Sequence, residues 1–321
     1  MRLTSREKEI LDLLKKEPLI SQEEMAQRFG ITRSSVAVHI SNLMKKGVIL
    51  GKGYVLNETA SVVVLGNCML TVEVRKQNGA TAIDLDWGGF AYKACHTLAD
   101  FGSHVKIVSV LGNDEQGDLI VSQLAGKKVD VSNIYRHNSR RTNRQIWCDG
   151  KILFNEGFYG DDYEKAVNLR EWVIFNCEWL VVEPVWQEYV YRKAVNKDGE
   201  KLPCLCTCLS LRPGQSLPDY LDGYNVLVLG VEDYFEIDAY RSRIHDMINA
   251  GMEHCIITDG HSAVMHMDNH GIQEYPLLPN QSFDYARQLL YLLCGLVYGL
   301  SNNYPLRQSV RMGVGTASTG S

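Results

Sequence analysis

Residues 282–301 read SFDYARQLLYLLCGLVYGLS, and the reading of this stretch decides the fold. Gly295 and Gly299 stand four apart in an apolar run of helical period, so both fall on one face of a helix. The amides at the start of such a helix can hold an anion, and the residues leading into it, Asp284 to Leu290, end in a side chain that cannot accept a proton. The apolar run LLYLLCGLVYGL is too short to cross a bilayer, so it reads as a core helix.

Outward from that helix, 321 residues with 45% hydrophobic and 22% charged content suit one large globular domain and one small one. Nine cysteines without an N-terminal apolar run point to a reduced, cytoplasmic protein with no membrane role. The net charge of −5 is unevenly spread: residues 1–57 hold ten Lys/Arg against six Asp/Glu, and the remainder carries −9. A basic head on an acidic body places a polyanion at the head.

The head, residues 1–57, reads as three helices and a hairpin. Thr4 with Glu7, and Ser21 with Glu24, have the spacing of capping boxes ahead of apolar runs, the first carrying Ile10, Leu11, Leu13 and Leu14. Gly30 suits the left-handed stop of the second helix, and Thr32 caps a third that runs to Gly47. This is the order of a helix-turn-helix unit. With Val36, Ile40, Leu43 and Met44 as its buried stripe, the third helix turns Arg33, Ser34, Ser35, His39 and Asn42 outward, and Thr32 joins them at its start. Short polar and cationic groups there reach base edges and phosphates. VILGKGYVL would form a wing with Lys52 at its tip, against a phosphate. The segment RSSVAVHISNLMKKGVILGKGYVL resembles winged helix-turn-helix domains of bacterial transcription regulators, which implies a DNA operator as partner and a homodimer on a palindromic site.

Residues 61–321 change texture. SVVVLG, VKIVSVLG, EWLVVEP, LPCLCTCLS, YNVLVLG and HCIITDG read as buried strands alternating with helices such as AYKACHTLADFG. That pattern is α/β, a mainly parallel sheet with helices on both faces in three layers. QNGATAIDLDWGG and RRTNRQIWCDGKILFNE read as antiparallel strands of a small projecting sheet, a lid over a ligand site at the carboxyl ends of the main strands.

The glycines Gly88, Gly89, Gly102, Gly112 and Gly117, followed far downstream by Asp284, Gly295 and Gly299, give this body a resemblance to the ribokinase-like (PfkB) sugar and nucleoside kinases. Coupled to the head, it resembles the branch of that family containing pseudouridine kinase-like proteins. The resemblance implies ATP and Mg²⁺ as co-substrates and a sugar or nucleoside as acceptor. It also places a Gly-Ala-Gly-Asp turn at Arg287, Gln288, Leu289 and Leu290, so the family's base is an isobutyl group. The family's sugar-binding aspartate falls at Thr71 and its asparagine at Lys93. Its Asn-x-x-Glu becomes Val231 and Tyr234, and its Thr-x-Gly-x-x-Gly survives only as Thr258, Gly260 and Ala263. The family's closing helices would lie beyond Ser321, which leaves the adenine side open as an expectation.

These departures predict a retained fold without phosphoryl transfer, no catalytic residue, and no cofactor or metal. The ligand pocket would draw on Thr71, Gly88, Gly89, Lys93, Asp284 and Arg287, for a sugar, nucleoside or phosphorylated relative. An anionic effector requires Lys93 and Arg287 both to point inward. The rival is a divergent kinase in which Asp284 serves as base, using ATP and Mg²⁺; a DNA-binding scaffold without small-molecule input is a third reading. Cys204, Cys206 and Cys208 read as small buried hydrophobes, and His261, His266 and His270 as hairpin residues with no ligand spacing. The cationic run HNSRRTNRQ sits beside the lid, where it could meet an anion.

Overall fold

The computed structural model describes residues 3–320 apart from 18, 19, 47, 52–54, 57–59, 78, 79, 150, 198 and 200. The head comprises α1 (Ser5–Lys16), α2 (Gln22–Phe29) and α3 (Arg33–Lys45), then a hairpin of β1 (Ile49–Gly51) and β2 (Val55–Leu56). Both capping boxes form: Thr4 Oγ1 accepts from Glu7 N while Glu7 reaches back to Thr4 N, and Ser21 and Glu24 repeat the exchange. Gly30 closes α2 in the left-handed conformation, φ 63°. Ile10, Leu14, Met25, Val36 and Leu43 fill the head's core. Beneath them Lys46 Nζ sits 2.7 Å from Glu7 Oε2 with both side chains nearly fully covered. Burial alone would raise the Glu7 pKa, but Lys46 and the Thr4 amide outweigh it and hold it low. Met44, expected in the buried stripe, is exposed. At 3.6 residues per turn it lies about 80° round from Val36, on the shoulder of the stripe rather than its centre.

The body runs β3 (Ala60–Leu65), β4 (Met69–Gln77), β5 (Ala80–Gly88), α4 (Phe90–Asp100), β6 (Val105–Val108), β7 (Val110–Gly112), α5 (Glu115–Gly126), β8 (Tyr135–His137), β9 (Asn143–Cys148), β10 (Lys151–Glu156) and α6 (Gly160–Phe175). It continues with β11 (Cys177–Val182), α7 (Gln187–Ala194), β12 (Cys204–Ser210), β13 (Val226–Gly230), α8 (Ile237–Asn249), β14 (His254–Thr258), β15 (Ala263–Asp268), β16 (Gly271–Pro276), α9 (Leu289–Ser301) and α10 (Leu306–Thr319).

The main sheet has the order β16-β15-β14-β13-β12-β11-β3-β6, parallel from β14 to β6 and antiparallel at β15 and β16. Its parallel strands are buried on both faces, as continuous apolar runs require. Residues from α6, α7 and α8 share a core with one face, while α4, α5, α9 and α10 cover the other. VKIVSVLG is not one strand but two. It breaks at Ser109, whose carbonyl accepts the Tyr135 amide, and β7 leaves the main sheet to pair with β8.

The lid is a separate four-stranded sheet of order β10-β9-β4-β5. The expectation of antiparallel strands holds for β4 with β5 and for β9 with β10, but the central pair β4 and β9 is parallel because the chain passes through α4 and α5 between them. Trp172, on α6, packs against the head's core as well as the body's.

Candidate functional site

Two places in the molecule are arranged to meet a ligand, and each is built around a helix N-terminus. At the first, Thr32 caps α3, its Oγ1 accepting from Ser35 N and lying 2.9 and 2.8 Å from the hydroxyls of Ser34 and Ser35. Arg33 and Ser34 are exposed beside it, whereas Ser35, His39 and Asn42 are half-buried on one flank of the helix. Arg33 Nε is 3.9 Å from Glu23 Oε2, a solvent-exposed pair that costs little to separate. The structure thus brings six of the seven expected DNA-contacting residues onto one helix. The seventh, Lys52, lies outside the described residues.

The second place is the cleft at the carboxyl ends of the main strands, beneath the lid. Gly89 begins α4 with φ 91°, and a Cβ there would press on the backbone of Asn67 and Cys68, so the turn after β5 requires glycine. A Cβ on Gly88 would come within 4 Å of both Thr71 Oγ1 and Lys93 Cε, which shows that these three expected residues are brought together. Asp284 and Arg287 come from a different segment of the chain. They belong to a loop packed over the ends of β13 and β14, where the Tyr285 and Phe283 carbonyls abut Gly230 and Gly260. The Arg287 side chain is 80% exposed and its Nε lies 3.9 Å from Asp284 Oδ2. The condition for an anionic effector, two cations pointing inward, is therefore not met at Arg287.

The turn before α9 has a specific internal economy of hydrogen bonds. Asp284 Oδ1 accepts from the amides of Ala286 and Arg287 at 2.8 and 2.9 Å, and the Asp284 carbonyl accepts from Gln288 N. Gln288 caps the helix, taking the Asp284 amide on Oε1 and donating its Nε2 to the Gly320 carbonyl. Leu290 follows, buried in the core. The neighbouring loop repeats the device. Asp259 Oδ1 accepts from the His261 and Ser262 amides at 2.9 and 2.8 Å, and its Oδ2 takes the Ser262 hydroxyl. Burial pushes the Asp259 pKa up, but these donors together hold it below the ordinary value. Val231 is fully buried, and Thr258 Oγ1 is spent between the Ala263 carbonyl and the Gly260 amide.

Sequence reasoning missed three groups on the cleft floor. Glu183, just past β11, accepts the Asn67 amide at 2.5 Å, and desolvation pushes its carboxyl up to about 7 although the residue keeps some exposed surface. Asn67 is 6% exposed, and its Oδ1 has no hydrogen-bond partner among the described residues. Tyr163 stands beside them, its phenol pushed up to about 12 by burial and then by Glu183. The signal was present: Glu183 directly follows an apolar parallel strand and Asn67 stands two residues past another, where ligands of such sheets bind. The lid-side cations are largely neutralised. Arg140 faces Asp162 at 3.5 Å, with His137 Nε2 3.2 Å from the same carboxylate, Arg136 pairs with Asp118, and Arg144 with Glu156.

The remaining sequence candidates fall away from the cleft. Cys206 and Cys208 are buried and Cys204 is half-buried, all as free thiols, so the reading as small hydrophobes holds for the first two. His266 is not a surface hairpin residue. It is fully buried, and burial together with His254 pushes its pKa down to about 4 against the opposing pull of Asp268. Among the described residues no helix is long and apolar enough to cross a membrane.

Comparison with known proteins agrees with both halves. Residues 3–49 match the family model "Winged helix-turn-helix DNA-binding". Over 151 residues, 45% of this chain, the protein is 36% identical to the "Uncharacterized sugar kinase YeiI" of Escherichia coli K12, of which the match covers 42%. A second relative, the "Bifunctional protein HldE" of Geobacter metallireducens, is 25% identical over 126 residues, covering 39% of this chain and 23% of that protein. The chain thus spans less than half the length of the curated relatives it matches. Among solved structures, a PfkB protein from Polaromonas sp. JS666 superposes with a TM-score of 0.65 at 14% identity, covering 81% of this chain and 95% of that one. Ribokinase from Thermotoga maritima gives 0.63 at 15% identity, covering 81% and 92%. The protein is therefore an N-terminal winged helix-turn-helix domain joined to a body with the ribokinase-like (PfkB) kinase fold.

Proposed function

We propose that this protein is a transcription regulator in which the kinase-like body has lost phosphoryl transfer and serves as a sensor for a small polyhydroxylated ligand. One observation carries the reading. In the two loops where the fold would meet phosphate, Asp284 and Asp259 each fold a pair of neighbouring amides onto their own carboxylate, Ala286 with Arg287 and His261 with Ser262, so the Arg287 amide that opens the 287–290 turn is already taken. A phosphate oxygen arriving there would have to displace a carboxylate and then share its space, which removes the electrostatic stabilisation phosphoryl transfer depends on. Leu290, at the position of the base, has no lone pair to take the acceptor's proton.

The cleft floor nonetheless retains binding chemistry. Asn67 Oδ1 is buried without a donor, Glu183 and Thr71 supply acceptors beside it, and Lys93 lies near Gly88. Hydroxyl groups of a sugar or nucleoside match this set, and the Escherichia coli relative is named as a sugar kinase. The neutralised lid cations favour an uncharged ligand over a phosphorylated one. Asp284 as a base in a divergent kinase is the weaker reading, because its Oδ1 is held by the amides of its own turn and its Oδ2 faces the exposed Arg287 side chain at 3.9 Å.

The readout would pass through α6. Its first turn holds Asp162 against His137 and Arg140 at the lid, and further along Trp172 packs on the head. Ligand binding regulates only if it favours one of two arrangements of such an element. A homodimer is supported by the lid, whose Leu85, Val72, Ile146 and Phe154 form one cross-strand row with Leu85 and Phe154 exposed.

The test is ADP release from ATP and Mg²⁺ with a pool of sugars and nucleosides. No release above the substrate-free blank is the expected result, and the same pool should contain a compound that alters affinity for operator DNA. Substrate-dependent release abolished by Asp284→Ala would make the protein a kinase instead.

A further inference from the structure

We infer that the protein carries a divalent transition-metal site formed by His254, His266 and Asp268, at the end of the sheet opposite the cleft. The three residues come from neighbouring antiparallel strands. β14 and β15 pair with Ile256 opposite His266 and Cys255 opposite Met267, and the same register sets His254 across from Asp268. Side chains alternate along a strand, so these three share one face. His254 opens β14, a parallel strand whose other end carries the cleft loop, so the site and the cleft occupy opposite edges of the sheet.

The geometry is that of a ligand set rather than a hydrogen-bonded cluster. His254 Nδ1 lies 3.2 Å from His266 Nε2, and His266 Nε2 lies 3.8 Å from Asp268 Oδ2. One donor atom from each residue falls within 4.8 Å of the other two. Two nitrogens on a tetrahedral Zn²⁺ at about 2.0–2.1 Å stand roughly 3.3 Å apart, so the imidazole pair already has the required bite. A simple N–H···N bond would account for that pair alone. It leaves the Asp268 carboxylate beyond hydrogen-bond reach at 3.8 Å, a distance that a shared ion would bridge. The Asp268 carboxylate is also oriented, because the His270 amide donates to its Oδ1 at 2.8 Å and so turns Oδ2 toward the imidazoles.

Two imidazoles and one carboxylate select a borderline ion such as Zn²⁺ over Mg²⁺ or Ca²⁺, which prefer all-oxygen ligands. His254 and Asp268 both keep some exposed surface, so the ion has a path in and a fourth position open to water. Holding β14 to β15 at this edge, the metal would act as a clamp on the sheet.

The experiment uses the full chain, stripped with a chelator and titrated with Zn²⁺ and, separately, Co²⁺. One equivalent of Zn²⁺ per chain should bind and raise the Tm, and Co²⁺ should give the intense visible bands of a four-coordinate nitrogen and oxygen site. His254→Gln and Asp268→Asn alter partly exposed residues and leave the buried His266 in place; each should weaken binding at least about tenfold. Absence of stoichiometric binding, binding unchanged in His254→Gln, or a thiolate-to-cobalt charge-transfer band would each overturn the assignment, the last by moving the metal to a cysteine. None of these outcomes bears on ADP release or DNA affinity, so this site and the proposed sensor function stand or fall separately.

Discussion

The N-termini of α3 and α9 carry the same backbone physics and reach opposite ends. Each offers unsatisfied amides and the positive end of a helix dipole, the arrangement that draws a phosphate. At α3 the cap is a small hydroxyl, the next residues are Arg33 and Ser34, and the surface is open. At α9 the preceding turn folds its amides onto Asp284, the cap is Gln288 tied to Gly320, and the first two helical residues are buried leucines. The difference lies in the side chains around the two N-termini: a small cap, a cation and open surface at α3, against an aspartate-filled turn and buried leucines at α9.

That comparison can be broken first at the glycines of α9. A Cβ at Gly295 would lie 2.7 Å from the Gly313 Cα and 2.6 Å from Thr316 Oγ1, so these glycines hold α9 against α10 whether or not chemistry follows. Gly295→Leu should cost more than about 3 kcal/mol or prevent folding, read as a lower denaturation midpoint. A tolerated leucine would mean that the glycine spacing is a relic of catalysis and not of packing.

The cleft is sharpened by pH. Glu183 titrates near 7 in the folded protein against an ordinary 4.5, so the folded state holds a proton that the unfolded chain has lost between those values. Stability contributed by this group is therefore greatest below about 4.5 and declines as pH rises to 7, with a span of roughly 3 kcal/mol at most. Glu183→Gln should flatten that slope in denaturant titrations at pH 5 and pH 7. An unchanged slope would show that the carboxyl is ionised and that the cleft floor is wetter than it looks.

At the other helix, Arg33→Ala should weaken DNA binding about tenfold, close to 1.4 kcal/mol, and make it less sensitive to salt. Equal affinity across a salt series would remove α3 from the interface. The smallest effect is local. Ser21→Ala breaks one capping box and should lower the head's stability by about 1 kcal/mol without altering the body.

Most of the head's local codes were legible. Capping boxes at Thr4 and Ser21, the glycine stop at Gly30 and the stripe of Val36, Ile40 and Leu43 each depend on contacts three or four residues apart, which a sequence displays directly. The body's alternation of buried strands and helices was legible for the same reason, as was the loss of an acid at Leu290. Met44 and the break at Ser109 were not, because stripe edges and strand exits are decided by what packs alongside.

What only the tertiary structure decided are the relations between distant residues. Asn67 and Glu183 are 116 positions apart and meet because parallel strands end together. His254 and His266 meet through the register of one hairpin, and Trp172 joins a helix of the body to the head's core. Sequence alone fixed which groups were present and which chemistry was missing, since that is a matter of atoms. Whether the amides beside Asp284 and Asp259 were open or filled depended on loop closure, which is set by the elements packed around those loops.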